Sequence, residues 1–368
     1  MEEDVFFHLS LTKVPHIGHV HIGVLLSHFR NPSEVFKASR KTLEQIPGIG
    51  EVRATEIKRF KDYKRIESEL TFTVKNNISI LVKHKDNYPK RLENCIDAPH
   101  VLYYKGTANL NQGQVVAVVG TRAPTDYGRD RVTELVTSLT DLGVMVVSGL
   151  AYGIDTLVHR DCIKKGAQTI GVLGHGLDQI YPLSNREMAI EMIRQGGLLT
   201  EFMHRTKPDR QNFPKRNRIV AGMVDAVIVV ESGEKGGSLI TAEIANSYNK
   251  DVFAFPGRTI DLGSMGCNHL IRTHRANLIT SGLDFIEFMN WDPNIKKKKS
   301  IQAELFLSLE GKEKELYELI LAREPVAIDD LIVQSGQKSS EVSAQLFSLE
   351  MRGLVAIRPG KLYAAVYR

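Results

Sequence analysis

Apolar residues recur along the middle of this chain in short runs separated by longer stretches with a different rhythm. Val115 to Val119, Val144 to Val147, Thr169 to Leu173 and Ala226 to Val230 are β-rich runs, each leading into Gly, Ser or Glu, and Val252 to Phe255 forms a fifth. Between them apolar positions fall three and four apart, as Val132, Leu135, Val136 and Leu139 do within Asp130 to Leu142, which predicts a helix with one buried face. Strands alternating with helices predict an α/β fold built on a doubly wound parallel sheet. Ligands of such sheets bind beyond the carboxyl ends of the strands, which here carry Gly120-Thr121-Arg122, Ser148-Gly149-Leu150, Gly174-His175-Gly176 and Glu231.

The flanks follow other patterns. Residues 1–70 are expected to form short helices around a weak repeat, Val14-Pro15-His16-Ile17-Gly18 and Ile46-Pro47-Gly48-Ile49-Gly50, a turn that resembles a helix-hairpin-helix. Such hairpins can present N–H groups to a DNA phosphate, with Lys58, Arg59 and Lys61 nearby, or can simply be tight turns packed on a core. Within 71–114, Ile78 to Val82 and Val101 to Gly106 are expected to extend the sheet, and the basic pair of Tyr88-Pro89-Lys90-Arg91-Leu92 is assigned no site. Lys296 to Lys299 mark a basic linker over 293–311. Residues 312–368 predict helices Glu313 to Leu321, Ile328 to Gln334 and Ser339 to Arg352, then strands Val355 to Arg358 and Leu362 to Val366 joined by Pro359-Gly360-Lys361, the pattern of a winged helix. Glu341 and Glu350 offset Lys338 and Arg352 on its recognition helix, so DNA contact there competes with protein contact or fold support. The core then spans 71–292.

Charge sharpens the site more than it defines the class. A net charge of +5 over 368 residues permits a nucleic-acid partner without requiring one. Clustering is the stronger signal: Phe213-Pro214-Lys215-Arg216-Asn217-Arg218 places an aromatic among three cations, the combination that single strands use for stacking and phosphate contact. On a helix Lys215 and Arg218 share one side, and Arg216 is expected to point away into a structural role. Arg122 stands where dinucleotide-binding loops carry Gly; it either holds a phosphate or pairs with a carboxylate such as Glu231. Asp155 is expected to cap a helix and His159 to bond to it. Gly237 and Ser238 open a second anion-ready helix start, with Ser238 as the alternative cap. Cys95, Cys162 and Cys267 are odd in number and far apart, so no disulfide framework or metal motif is indicated. No apolar run approaches the roughly 18 residues that span a bilayer, and the acidic start Met1-Glu2-Glu3-Asp4 lacks a signal pattern, so a soluble cytoplasmic protein is expected.

Taken in order, Val119-Gly120-Thr121-Arg122, Ser148-Gly149-Leu150-Ala151-Tyr152-Gly153-Ile154-Asp155 with His159, Gly174-His175-Gly176-Leu177-Asp178 with Tyr181-Pro182 and Asn185, Phe213 to Arg218, and Gly237-Ser238-Leu239-Ile240-Thr241-Ala242 with Phe255-Pro256-Gly257 closely resemble the DNA processing protein A (DprA/Smf) family. The resemblance is strong from about Tyr88 to Gly282. It departs after Asn268-His269-Leu270-Ile271-Arg272, where relatives continue to a Gly-Ala pair and this chain has Thr273-His274-Arg275-Ala276. It implies an extended Rossmann-like core between a helix-hairpin-helix (SAM-like) domain and a winged helix. It also implies a homodimer that binds single-stranded DNA and helps load RecA during natural transformation. The residues expected to meet DNA are Gly120, Thr121, Arg122, Ser148, Gly149, Gly174, Arg210, Phe213, Lys215, Arg216, Asn217, Arg218, Gly237 and Ser238, with Arg210 placed where the family tends to carry a basic residue.

Two other classes compete with this reading. Gly236-Gly237 with Glu243 partly resembles the Pro-Gly-Gly-x-Gly-Thr-x-x-Glu motif of phosphoribohydrolases on a related fold, but Lys235, Leu239 and Ile240 break it. A nucleotide-driven motor or dehydrogenase lacks both G-x-x-x-x-G-K-[ST] and a complete G-x-G-x-x-G. No catalytic residue, metal or cofactor is therefore assigned.

Overall fold

The computed structural model describes residues 2–291, 309, 311–323, 325–352, 354–358 and 362–365. Lys296 to Lys299 and Pro359 to Lys361 lie outside them. The chain divides into two compact units, Met1–Trp291 and Asp292–Arg368.

The first unit is organised by nine strands: β1 (Ser79–Val82), β2 (Val101–Gly106), β3 (Val115–Val119), β4 (Met145–Ser148), β5 (Thr169–Val172), β6 (Gly197–Thr200), β7 (Ala226–Val229), β8 (Asp251–Ala254) and β9 (Asn277–Leu278). Their spatial order is β1-β2-β6-β5-β4-β3-β7-β8-β9. From β6 to β9 every pairing is parallel, whereas β2 runs antiparallel to both β6 and β1. The chain therefore winds outward from β3 in one direction through β4 to β6, and in the other through β7 to β9. The switch point lies between β3 and β7, where a crevice is expected to open.

Burial on both faces explains the nearly continuous apolar runs. Val115, Ala117 and Val119 enter one core with Ile219, Val220 and Ala242, while Val116 and Val118 enter the other with Leu135, Leu139 and Val158. Helix Asp126–Asp141 starts four residues earlier than its apolar spacing predicts, because the Thr125 hydroxyl caps it by accepting from Gly128 N at 3.3 Å. β6 was not expected: only Leu198 and Leu199 mark it, too brief a run to stand out. Arg91, given no site, braces the fold by pairing with Asp225 at 2.7 Å and donating to the Gln112 carbonyl.

Six helices precede β1, and their apolar residues share a core with Val82, Val101, Tyr103 and Met203 of the sheet region. Polar groups fix this packing. Glu69, buried, accepts from His204 N at 3.1 Å and from Arg65 at 3.0 Å, and its carboxylate meets the His204 ring at 2.6 Å. The two hairpins match at one position and differ at another: His16 has φ 62° where Gly48 has φ 81°, so the histidine holds the left-handed conformation that glycine adopts in the second copy, whereas Gly18 has φ −101° where Gly50 has φ 61°. Arg53 ties the copies together by donating to the carbonyls of both His16 and Gly48 at 3.1 Å. Lys58 instead donates to the Phe36 and Ala38 carbonyls.

The second unit has helices Gly311–Ala322, Ile328–Ser335 and Ser339–Met351 with a three-stranded antiparallel sheet, β10 (Val326–Ala327), β11 (Val355–Arg358) and β12 (Leu362–Ala365), in the order β10-β12-β11. Leu316, Ile320, Leu331, Val342, Leu346 and Leu349 form its core. Glu341 pairs with Lys312 at 3.4 Å and Arg352 with Glu313 at 3.1 Å, so charges at both ends of the third helix are engaged within the unit.

His8 Nδ1 and His100 Nε2 meet at 2.8 Å in the buried seam between the first helix and β2. Burial, with the neighbouring His8 second, pushes His100 down to about 3, and burial lowers His8 as well. An unfolded histidine titrates near 6.5, so between that pH and about 3 the unfolded chain binds more protons and stability falls as pH falls. His100 alone should cost about 2 kcal/mol on going from pH 7 to pH 5. The difference in urea midpoint between these two pH values should shrink in His100→Gln.

Candidate functional site

At the switch point the carboxyl ends of β3, β4 and β7 open into a crevice of about 570 Å³. Gly120 closes its β3 side. A Cβ there would lie 2.5 Å from Ile154 Cγ1 and 3.0 Å from the Glu231 carbonyl, so only glycine lets the helix Ile154–Lys165 settle onto the strand end. Thr121 then links the neighbours: its N–H donates to the Glu231 carbonyl at 2.7 Å and its carbonyl accepts from Ile154 N at 3.0 Å. Arg122 follows, exposed, with its guanidinium carbon 5.7 Å from the centroid of the Phe213 ring. It does not pair with Glu231. That carboxylate is buried and accepts from Thr125 N at 3.0 Å and Thr125 Oγ1 at 2.9 Å, so it serves the helix start behind Arg122.

The opposite wall is helix Asn212–Gly222. Phe213, Arg216, Asn217 and Val220 line the crevice, the spacing of one helical face. Arg216 therefore points into the site and not away from it. Its guanidinium is buried, donates to the Val172 carbonyl at the end of β5, and reaches Asn217 Oδ1 from Nε at 3.2 Å. A Cβ on Gly149 would collide with both this guanidinium and the Asp155 carboxylate, so glycine is what leaves room for the two charged groups over the β4 turn. Burial pulls Arg216 below the ordinary arginine range, with Asp155 opposing that shift and Arg122 adding to it.

Lys215 and Arg218 are a correction. Both line a separate cavity of about 580 Å³ together with His19, His100, Tyr103 and Glu201, and Arg218 is committed to the Glu201 carboxylate and the Asp97 carbonyl. With Phe213 and Arg216 fixed toward the crevice, helical geometry sends residues 215 and 218 elsewhere. Ser148 is also not in the crevice lining: its buried hydroxyl donates to the Val118 carbonyl at 2.7 Å, satisfying a donor inside the sheet. Gly174 lies beneath Phe213, in a small recess that also borders Arg122 and Tyr181. Arg210, exposed, Gly237 and Ser238 line the crevice itself.

Three expected local bonds take other forms. Gly153, not Asp155, is the residue before helix Ile154–Lys165, and Asp155 accepts from Ala151 N at 3.2 Å. His159 is buried between Thr169 Oγ1 at 2.7 Å and the Gly149 carbonyl at 2.6 Å, and burial lowers its pKa. Gly236 caps helix Gly237–Ser247, while Ser238 donates to Ser232 Oγ at 2.9 Å. After helix Met265–Arg272, His274 takes φ 56°, so a left-handed residue ends the turn. Sequence reasoning brought Asp155 near the crevice but missed its proximity to Arg216, which depends on a close approach over Gly149 that no local pattern records.

Among the described residues no group of three or more His, Cys, Asp or Glu is placed to hold a metal, and no helix is long and apolar enough to cross a membrane. A doubly wound sheet with a cationic, glycine-walled crevice at its switch point defines a Rossmann-like protein, flanked here by a hairpin tandem and a winged helix. The chain belongs to the DNA processing protein A (DprA/Smf) family: residues 79–290 match the model for DNA recombination-mediator protein A, 307–361 the DprA winged helix domain and 9–60 a SAM-like helix-hairpin-helix tandem. Protein Smf of Synechocystis is 32% identical over 96% of this chain and 97% of its own length. DNA processing protein DprA of Streptococcus pneumoniae is 42% identical over 55% of this chain and 71% of its own. The X-ray structure of the S. pneumoniae protein superposes with a TM-score of 0.66 at 31% identity, covering 77% of this chain and 97% of that one. DNA processing protein A from Helicobacter pylori, whose structure is described for its single-stranded DNA binding mode, gives a TM-score of 0.53 at 31% identity over 58% and 95%.

Arg216 and Arg122 should separate by stability. Arg216→Ala leaves the buried Val172 carbonyl without its donor and should cost about 1–3 kcal/mol. Arg122→Ala, at an exposed position, should stay within about 0.5 kcal/mol of the parent. Urea unfolding of both variants checks the difference.

Proposed function

We propose that this chain binds single-stranded DNA in the switch-point crevice without base preference and without chemistry. As a homodimer in the cytoplasm it protects incoming strands and helps load RecA onto them during natural transformation. The observation that carries the DNA reading is Arg122 poised over the Phe213 ring at the mouth of a crevice that also presents Arg210, Asn217 and the start of helix Gly237–Ser247. Guanidinium groups and helix N–H groups suit phosphates, and an aromatic ring suits a base of any identity. The relation to the H. pylori protein supports the ligand; RecA, the dimer and the compartment follow from the family resemblance.

The phosphoribohydrolase alternative needs a carboxylate at the ligand. Glu243, which the partial motif would nominate, is exposed, pairs with Arg275 at 3.2 Å and is not among the residues lining the crevice. Asp155, the carboxylate that does line the crevice, accepts from Ala151 N and lies beside the Arg216 guanidinium, so the proposal assigns binding and no turnover.

A mobility shift with single-stranded and duplex oligonucleotides across a salt series tests this reading. Single strands should bind more tightly, and affinity should fall steeply with salt. Arg122→Glu and Arg210→Glu should each weaken binding at least tenfold, about 1.4 kcal/mol, within the range for charged hydrogen bonds. Lys215→Glu, on the other cavity, should change it less than about threefold. Folded Arg122→Glu and Arg210→Glu variants that bind like the parent would overturn the crevice assignment. Unchanged RecA filament formation on protein-coated single strands would remove the loading role.

A further inference from the structure

Beside the crevice, and on the other side of Arg122, the surface opens into a second groove of about 450 Å³. Arg122 lines both cavities and stands at their junction. The groove carries two more guanidiniums, Arg129 from helix Asp126–Asp141 and Arg160 from helix Ile154–Lys165, and no carboxylate lines it. Arg129 has only a loose neighbour, the exposed Asp126 at 3.8 Å, and Arg160 is exposed. Tyr152, 51% exposed, forms part of its wall. The same tyrosine borders the recess shared by Phe213 and Tyr181, whose rings stand 6.3 Å apart; Tyr181 is 49% exposed. Large aromatic side chains left half in solvent beside arginines with at most one loose, exposed counter-charge are costly to hydrate and belong to neither core.

Resting on the crevice reading above, we infer that the bound single strand does not end at Arg122 but continues into this groove. Its phosphates lie on Arg129 and Arg160 and an unstacked base lies on Tyr152. The crevice is then the first part of a longer track, with Arg122 contacting the strand where it passes from one cavity to the next. An aromatic face between cations is sequence-tolerant, because every base offers a ring and every linkage a charge. The added contacts predict that affinity grows with strand length beyond what fills the crevice.

Fluorescence anisotropy of the full chain with oligothymidylates of about six and about fifteen nucleotides tests the track, these lengths bracketing a single compact site and an extended one. The longer strand should bind on the order of tenfold more tightly, with a log–log salt slope steeper by about 1.4, the increment for two more neutralised phosphates on a single strand. In the Arg129→Glu/Arg160→Glu double variant that gain and the extra slope should disappear, while affinity for the short strand stays within about twofold. Tyr152→Ala should lose on the order of tenfold on the long strand alone, and Tyr152→Phe, which keeps the ring, should restore it. All four positions are exposed or half-exposed, and unchanged unfolding midpoints will show that the variants fold. Equal affinity of the parent for both lengths, or a length gain that survives the double variant, overturns the track and leaves the crevice standing. Short-strand binding that is indifferent to Arg122→Glu overturns the crevice, and the track with it.

Discussion

A buried guanidinium sets the geometry of the first unit's site. Arg216 enters the interior from helix Asn212–Gly222, donates to the end of β5 and lies close to Asp155 over Gly149, so one side chain fastens the helix to a strand end and packs beside the turn that follows β4. Removing such a charge from water is costly unless a carboxylate and a carbonyl replace the lost hydration, and both are present. Once Arg216 is fixed, the helix has no rotational freedom left. Phe213 and Asn217 must face the crevice, three residues before and one after, and Lys215 and Arg218 must face the other cavity. The ligand-facing surface is thus a by-product of how the helix is anchored.

That dependence explains what could be read from the sequence. The parallel sheet was legible because its strands are buried on both faces and stand out as β-rich runs, and the winged helix was legible from its helix spacing and paired strands. β6 escaped because two leucines make too short a signal, and the early helix start at Asp126 escaped because it depends on the Thr125 cap and not on apolar period. Within the site, Gly120, Arg122, Phe213 and Gly237 were found from local chemistry, since strand ends and helix starts are local features. The facing of the basic helix was misjudged because charged residues are rarely the buried ones, and the partner that makes Arg216 an exception lies sixty-one positions earlier in the sequence, at Asp155. Lys215 looks equivalent to Arg216 in one dimension; only the three-dimensional meeting over Gly149 distinguishes them.

Backbone shape proved more persistent than residue identity. His16 occupies a left-handed conformation at a turn where its repeat partner carries glycine, so the absence of glycine did not signal the loss of the turn. A strict motif search would have discarded that position, while the surrounding helices retain the geometry by packing.

The paired hairpins near the amino terminus carry one more implication. Duplicated elements are commonly regarded as insurance, since one copy can drift while the other keeps working. Here Arg53 grips the peptide carbonyl at the apex of each copy, His16 in one and Gly48 in the other. Because the fastener is shared, and Val14, Ile17, Ile46 and Ile49 of the two copies lie in one core, the copies have no independent fate: whatever displaces one hairpin is felt by the other, and the repeat behaves as a single mechanical part.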